Sequence, residues 1–214
     1  VKNLKKESYP FLMPNNDFQK IIWSGDVMFD SVLYYKNIAK NSYKYENIGV
    51  SYKKYIFCTI HREENTNDSK KLKDIWLSLN NIVDYLDVVL PIHPRTKKAL
   101  TDINIDVKKT KIKLINPISY LETQFLLMGA KQVMTDSGGL QKEAYFHKVP
   151  CITLRNETEW IETVEDGWNI LSGSNEKKIL NAFDNNNTLK KTDNTQFGNG
   201  KSAEIIIREI MDNL

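Results

Sequence analysis

Short apolar runs recur along this chain with helix-length segments between them, and that spacing constrains the fold more than any other feature. The runs are IIW at 21–23, YIFCTI at 55–60, VVLPI at 88–92, KIKLI at 111–115, QVMT at 132–135, CITL at 151–154 and NIL at 169–171. Each is too short for a helix. Each is also too continuously apolar for a strand with one wet face, which is the pattern of parallel strands buried on both sides. A βα alternation of this kind predicts an α/β fold built on a doubly wound parallel sheet.

The intervening segments carry helical stripes. Val27, Val32, Leu33 and Ala39 are expected to form one, and Leu72, Ile75, Leu79 and Ile82 another at three- and four-residue spacing. Ser119 followed three residues later by Glu122 reads as a capping box before LETQFLLMGA, with Gly129 where that helix should stop. Residues 183–200, FDNNNTLKKTDNTQFGNG, are polar and without periodicity, so a surface loop is expected there, followed by a last helix over SAEIIIREIMDNL. No internal repeat is present.

Several function classes fall away on composition. The 214 residues are 41% hydrophobic and 27% charged, ordinary for a folded soluble chain. The net charge of +3 comes from 30 basic and 27 acidic residues mixed along the sequence, which argues against a nucleic-acid-binding face. Cys58 and Cys151 lie inside apolar runs, where thiols behave as small hydrophobes, and no disulfide framework is expected. No run approaches the roughly 20 residues that cross a bilayer, and VKNLKKESYPF lacks a signal peptide's apolar middle, so no membrane association and a cytoplasmic location are expected. The absence of an initiator methionine, with a Lys-rich, helix-like opening, points to a chain cut from something longer.

In a doubly wound sheet, ligands bind outside the carboxyl ends of the strands, so the residues that follow each run are the candidates. His61-Arg62-Glu63-Glu64-Asn65 follow the second run, His93-Pro94-Arg95 the third, Asp136-Ser137-Gly138-Gly139 the fifth and Arg155 the sixth. Three of these four clusters carry a cation, the pattern of an anion site. At TDSGGLQKEA, a strand opening into a helix through two glycines offers unclaimed N–H groups and the positive end of a helix dipole to a diphosphate. Glu143, one turn further on, could accept hydrogen bonds from ribose hydroxyls. The alternative reading is that Asp136 and Ser137 only cap the helix and Glu143 only complements its dipole. His61 and His93 could each hold a phosphate or move protons near neutral pH, whereas His147 reads as a structural histidine. No close pair of His or Cys ligands appears and Glu63-Glu64 lacks a helical His partner, so no metal is expected.

Taken together, HREEN at 61–65, HPRT at 93–96, DSGGLQKEA at 136–144 and LRNETEWIE at 154–162 resemble the non-hydrolysing UDP-N-acetylglucosamine 2-epimerases. The resemblance implies a GT-B enzyme of two Rossmann-like domains, of which this chain is the second. Residues 1–23 would lead in from a missing N-terminal domain, 24–200 would bind UDP, and 201–214 would be a C-terminal helix. The implied reaction eliminates UDP to leave a 2-acetamidoglucal and adds it back after C2 is reprotonated on the other face, with no nicotinamide or other cofactor. By carry-over, Ser137, Gly138 and Gly139 hold the diphosphate, Glu143 the ribose, and His61 is catalytic. Arg62 and His93 match contacts to an allosteric second UDP-sugar, and Arg155 joins them as a candidate phosphate contact. The resemblance also implies a homodimer in the full-length protein.

The family's first domain supplies further phosphate-binding cations and the acids that handle the C2 proton, so these residues alone are not expected to turn over. Thr158-Glu159-Trp160 and GDVMFD at 25–30 are more typical of the branch acting on UDP-2,3-diacetamido-glucuronate. An aromatic residue that often packs near the uracil is replaced by Thr123, for which Tyr120 could compensate. A GT-B glycosyltransferase and a non-catalytic UDP-sugar-binding remnant stay open as alternatives.

Overall fold

The computed structural model describes Leu4, residues 20–185, Thr192 and residues 196–213. They group into two units, residues 1–31 with 195–214, and residues 32–194. The Lys-rich opening lies outside the described residues apart from Leu4.

The larger unit is built on six parallel strands: β1 (Tyr55–Thr59), β2 (Asp87–Pro91), β3 (Lys113–Ile115), β4 (Gln132–Thr135), β5 (Cys151–Thr153) and β6 (Asn169–Leu171), in the order β3-β2-β1-β4-β5-β6. The chain moves outward from β1 to β3, then returns to the other side of β1 with β4. Such a reversal leaves a crevice beyond the carboxyl ends of β1 and β4. The register runs Cys58 to Met134 and Thr59 to Thr135, so those two ends stop level with each other. The strand centres are apolar because both faces are covered there, whereas Asp87, Lys113, Gln132 and Asn169 each open a strand. Ile56, Cys58, Leu90, Met134 and Ile152 pack on one side, and Tyr55, Phe57, Val89, Val133 and Cys151 on the other.

The helices of this unit are α1 (Val27–Ser42, begun in the smaller unit), α2 (Glu63–Thr66), α3 (Ser69–Ile82), α4 (Pro94–Asp102), α5 (Tyr120–Gly129), α6 (Gly138–Phe146), α7 (Ile161–Glu165) and α8 (Glu176–Asn185). In α3 the predicted stripe is fully realised: Leu72, Ile75, Leu79 and Ile82 are all buried. The capping box of α5 forms as read, the Glu122 N–H donating to Ser119 Oγ and the Ser119 N–H to Glu122 Oε2 at 2.8 Å. Cys58 and Cys151 are buried as thiols, and burial raises both pKa values.

Three readings need correction. Residues 21–23 form no strand, and Ile22 and Trp23 are exposed; an apolar triplet becomes a strand only where a neighbour takes its backbone hydrogen bonds. In α1 the buried residues are Val32 and Ala39, seven apart and on one face, whereas Val27 and Leu33 lie off that face and are exposed. Residues 183–185, read as loop, are the last residues of α8; most of the expected loop beyond them lies outside the described residues. The stop read at Gly129 holds: it is the last residue of α5, followed by Ala130 as cap at φ −69°. The glycine is required because a Cβ there would stand 2.4 Å from the Tyr45 ring, which stacks on Phe125 at 4.2 Å.

In the smaller unit, Gly25 and Gly198 meet at positive φ, and a Cβ on Gly198 would lie 2.9 Å from Gly25 Cα. The Asp30 carboxylate accepts the Ala203 N–H at 2.7 Å and so caps α9 (Ser202–Met211), the last helix predicted. Among the described residues, no helix is long and apolar enough to cross a membrane.

Candidate functional site

Beyond the carboxyl ends of β1 and β4 the structure gathers the candidates read from the four strand ends. Thr135, the last residue of β4, receives the Ser137 N–H at 2.9 Å on its hydroxyl, which also contacts the Thr59 hydroxyl at 2.6 Å. This bends the chain sharply from strand into α6. Ser137 is the N-cap and its Oγ accepts from the Leu140 N–H at 3.4 Å. Among the described residues, no acceptor takes the N–H of Gly138 or of Gly139, so two donors at the positive end of α6 are left for a ligand.

The two glycines differ in surroundings. A Cβ on Gly138 would come within 3.1 Å of Glu159 Oε2 and 3.6 Å of Arg62 Nη2, whereas one on Gly139 would meet only Ser137 Oγ, at 3.9 Å. Gly138 is therefore packed by the protein, and Gly139 presents open backbone.

Asp136 does not cap α6, which corrects half of the structural alternative. Its carboxylate is fully buried and turns the other way, accepting the His61 N–H at 3.1 Å, the Arg62 N–H at 3.0 Å and the Asn65 amide at 3.2 Å. Asp136 thus holds the whole HREEN turn against the end of β4. His61 Nδ1 lies 3.4 Å from the same carboxylate, with half of the His61 side chain exposed to the crevice. His93 is the N-cap of α4, its Nδ1 accepting the Arg95 N–H at 3.2 Å. His61, His93 and Thr123 line a common cleft of about 210 Å³.

Arg155 is buried and enclosed by carboxylates: Nε donates to Glu64 at 2.7 Å, Nη1 contacts both oxygens of Glu159 at 3.0 Å, and Glu157 lies 3.9 Å from Nη2. Its charge is therefore balanced within the protein. Arg62 is the more available cation, 3.9 Å from Glu159 and 44% exposed in its side chain.

Glu143 is buried on α6, and burial pushes its carboxyl up to about 7. Tyr120 stands near it; partial burial and the Glu143 charge raise the phenol to about 12. His147, at the far end of α6, contacts Gln124 Oε1 through Nε2 at 2.7 Å and is pushed down to about 4 by burial, in keeping with a structural role. Among the described residues, no group of three His, Cys, Asp or Glu side chains is placed to hold a metal ion.

The residues that sequence reasoning missed are Glu64 and Glu159, partners of Arg155, and the tethering role of Asp136 and Asn65. Glu64 meets Arg155 across 91 residues of sequence, a pairing that no local spacing signals.

A sequence profile described as UDP-N-acetylglucosamine 2-epimerase matches residues 5–211. A Methanococcus maripaludis protein, a UDP-N-acetylglucosamine 2-epimerase homolog, is 46% identical over 196 residues, covering 89% of this chain and 54% of the relative. The Pseudomonas aeruginosa UDP-2,3-diacetamido-2,3-dideoxy-D-glucuronate 2-epimerase is 37% identical over 211 residues, covering 96% of this chain and 55% of that protein. The crystal structure of Methanocaldococcus jannaschii UDP-GlcNAc 2-epimerase in complex with UDP-GlcNAc and UDP superposes with a TM-score of 0.80 at 36% identity, covering 98% of this chain and 58% of that one. The chain spans about half the length of the curated relatives it matches.

Proposed function

The chain belongs to the UDP-N-acetylglucosamine 2-epimerase family, and from that premise we propose that it supplies the UDP-binding half of an enzyme inverting C2 of a UDP-N-acetylhexosamine, of the UDP-GlcNAc to UDP-ManNAc type. The reaction breaks the bond from C1 to the diphosphate oxygen as a proton leaves C2, then reverses with the proton returned to the other face. The product would feed cell-surface polysaccharide synthesis in the cytoplasm.

The observation that carries this reading is the start of α6, where two unclaimed N–H groups stand beside Arg62 and His61. Charge that develops on a departing diphosphate is best stabilised by fixed donors already aimed at it. Gly138 and Gly139 provide such donors, Ser137 sets their direction, and Glu143 takes the ribose hydroxyls. His61, held by Asp136, faces the reacting end of the sugar as proton carrier. Arg62 and His93, the latter lining the 210 Å³ cleft, contact an allosteric second UDP-sugar, Arg155 orders the carboxylates around Arg62, and the full-length protein works as a homodimer.

A second reading is supported by Thr158-Glu159-Trp160 and by the 37% identity to the P. aeruginosa enzyme: the sugar is a UDP-2,3-diacetamido-glucuronate. Titration calorimetry of UDP into this chain, with Glu143→Ala as control, tests the shared premise. Saturable binding that the substitution weakens is expected; binding unaffected by it would remove Glu143 from the ribose site. Turnover of UDP-GlcNAc against UDP-2,3-diacetamido-glucuronate by the full-length enzyme then separates the two sugars.

A further inference from the structure

At the opposite edge of the sheet, where strands begin, Lys53 precedes β1, Met128 lies before β4, and His147-Lys148 lead into β5. These residues and the last two turns of α1 enclose a cavity of about 750 Å³, a size that accommodates a nucleotide-sized ligand. The UDP site proposed above lies at the other end of the strands.

The lining is strongly cationic. Lys36, Lys40 and Lys44 border it and have no ion-pair partner among the described residues; Glu46 is the one acidic residue in the lining. Lys53 Nζ projects onto the carboxyl end of α5, donating to Met128 O and Ala130 O at 2.8 Å each. Tyr43, Tyr45 and Tyr52 form an aromatic wall, with Tyr45 and Tyr52 5.7 Å apart and the Tyr52 ring largely exposed. Lys53 and Lys148 are also two of the three non-glycine residues at positive φ among those described, and such strain concentrates at ligand sites. Lys36 and Lys53 add to burial in lowering the His147 pKa, which places both ammonium groups close to the His147 ring.

We propose that this cavity is a second binding site, for a phosphorylated small molecule whose phosphates lie against Lys36, Lys40 and Lys44 and whose ring stacks on the tyrosine wall. Cations gathered around a concave, partly apolar floor favour an anion with a flat body, because the ligand relieves the repulsion and covers the rings together.

Lysine acylation footprinting, read by mass spectrometry, tests this residue by residue, with pyrophosphate, UDP and uridine as probes. Pyrophosphate and UDP are expected to suppress acylation of Lys36, Lys40 and Lys44 while Lys177 keeps its ligand-free rate, and to do so equally in Gly139→Ala, where the family site is altered. The double substitution Lys36→Gln, Lys40→Gln is expected to weaken pyrophosphate binding at this site about tenfold, ~1.4 kcal/mol, with the melting temperature unchanged. The proposal fails if no ligand protects these lysines, if protection disappears in Gly139→Ala, or if uridine alone protects as well as UDP. A failure of the α6 reading would leave the lysine protection in place, so the two outcomes are separable.

Discussion

Glu143 is a carboxylate kept in a place that disfavours its charge, and that has a measurable signature. In the unfolded chain it ionises near its ordinary 4.5, and in the folded protein only near 7, because burial removes water from it. Below pH 4.5 the group is neutral in both states and imposes no penalty. Between 4.5 and 7 the unfolded state has released the proton while the folded state retains it, so stability falls as pH rises. Above 7 the folded protein carries the full deficit, about 3 kcal/mol at ~1.4 kcal/mol per pH unit. Glu143→Gln preserves the shape and never ionises. Its stability gain over the parent should be close to a constant offset at pH 4.5, grow through pH 5–7, and level off about 3 kcal/mol higher by pH 8. Paired urea denaturation curves across that range measure it, all other titrating groups being common to both chains. The same substitution should weaken UDP binding by about tenfold or more, since a hydrogen bond to a charged acceptor contributes ~1.5–3 kcal/mol. A difference in stability that stays flat with pH would refute the argument.

Three further outcomes follow from the packing. Asp136→Ala strips two backbone N–H groups and the Asn65 amide of their acceptor, and should lower unfolding free energy by about 3 kcal/mol or more, seen as a large drop in the urea midpoint. Arg155→Ala removes a buried side chain and its charged hydrogen bonds to the half-exposed Glu64 and Glu159 and should cost about 1.5–3 kcal/mol, whereas Arg95→Ala, which breaks only the exposed pair with Glu63, should cost less than ~1 kcal/mol. Gly129→Ala drives a Cβ into Tyr45 and should destabilise by about 1–3 kcal/mol, while Gly139→Ala should leave the melting temperature level or slightly raised and still weaken UDP binding.

The sheet was legible because parallel strands covered on both faces have apolar centres, and six of the seven runs became strands. The seventh, at 21–23, has the same local pattern, and only a paired neighbour distinguishes a strand from an apolar connection. The capping box of α5 was readable because both of its hydrogen bonds join residues three apart. The strand-end clusters were readable for a topological reason: wherever β1, β2, β4 and β5 end, the next residues lie at the sheet's carboxyl edge. What those residues do to one another was not. Asp136 is followed at once by Ser137 and two glycines, so it reads as a cap, yet its partners lie more than 70 residues earlier. Arg155 reads as an available cation after a strand, and the carboxylates that enclose it are fixed only by folding. Gly129 was placed correctly at the end of α5, but the reason for it, the Tyr45 ring, belongs to another part of the chain.

The central claim is that UDP is held by the first turn of α6 and by Glu143. A crystal structure of this chain soaked with UDP tests it most directly. The account predicts diphosphate oxygens within hydrogen-bond reach of the Gly138 and Gly139 N–H groups and ribose hydroxyls on the Glu143 carboxylate. A nucleotide bound with its diphosphate away from α6, or with its ribose out of reach of Glu143, would contradict it.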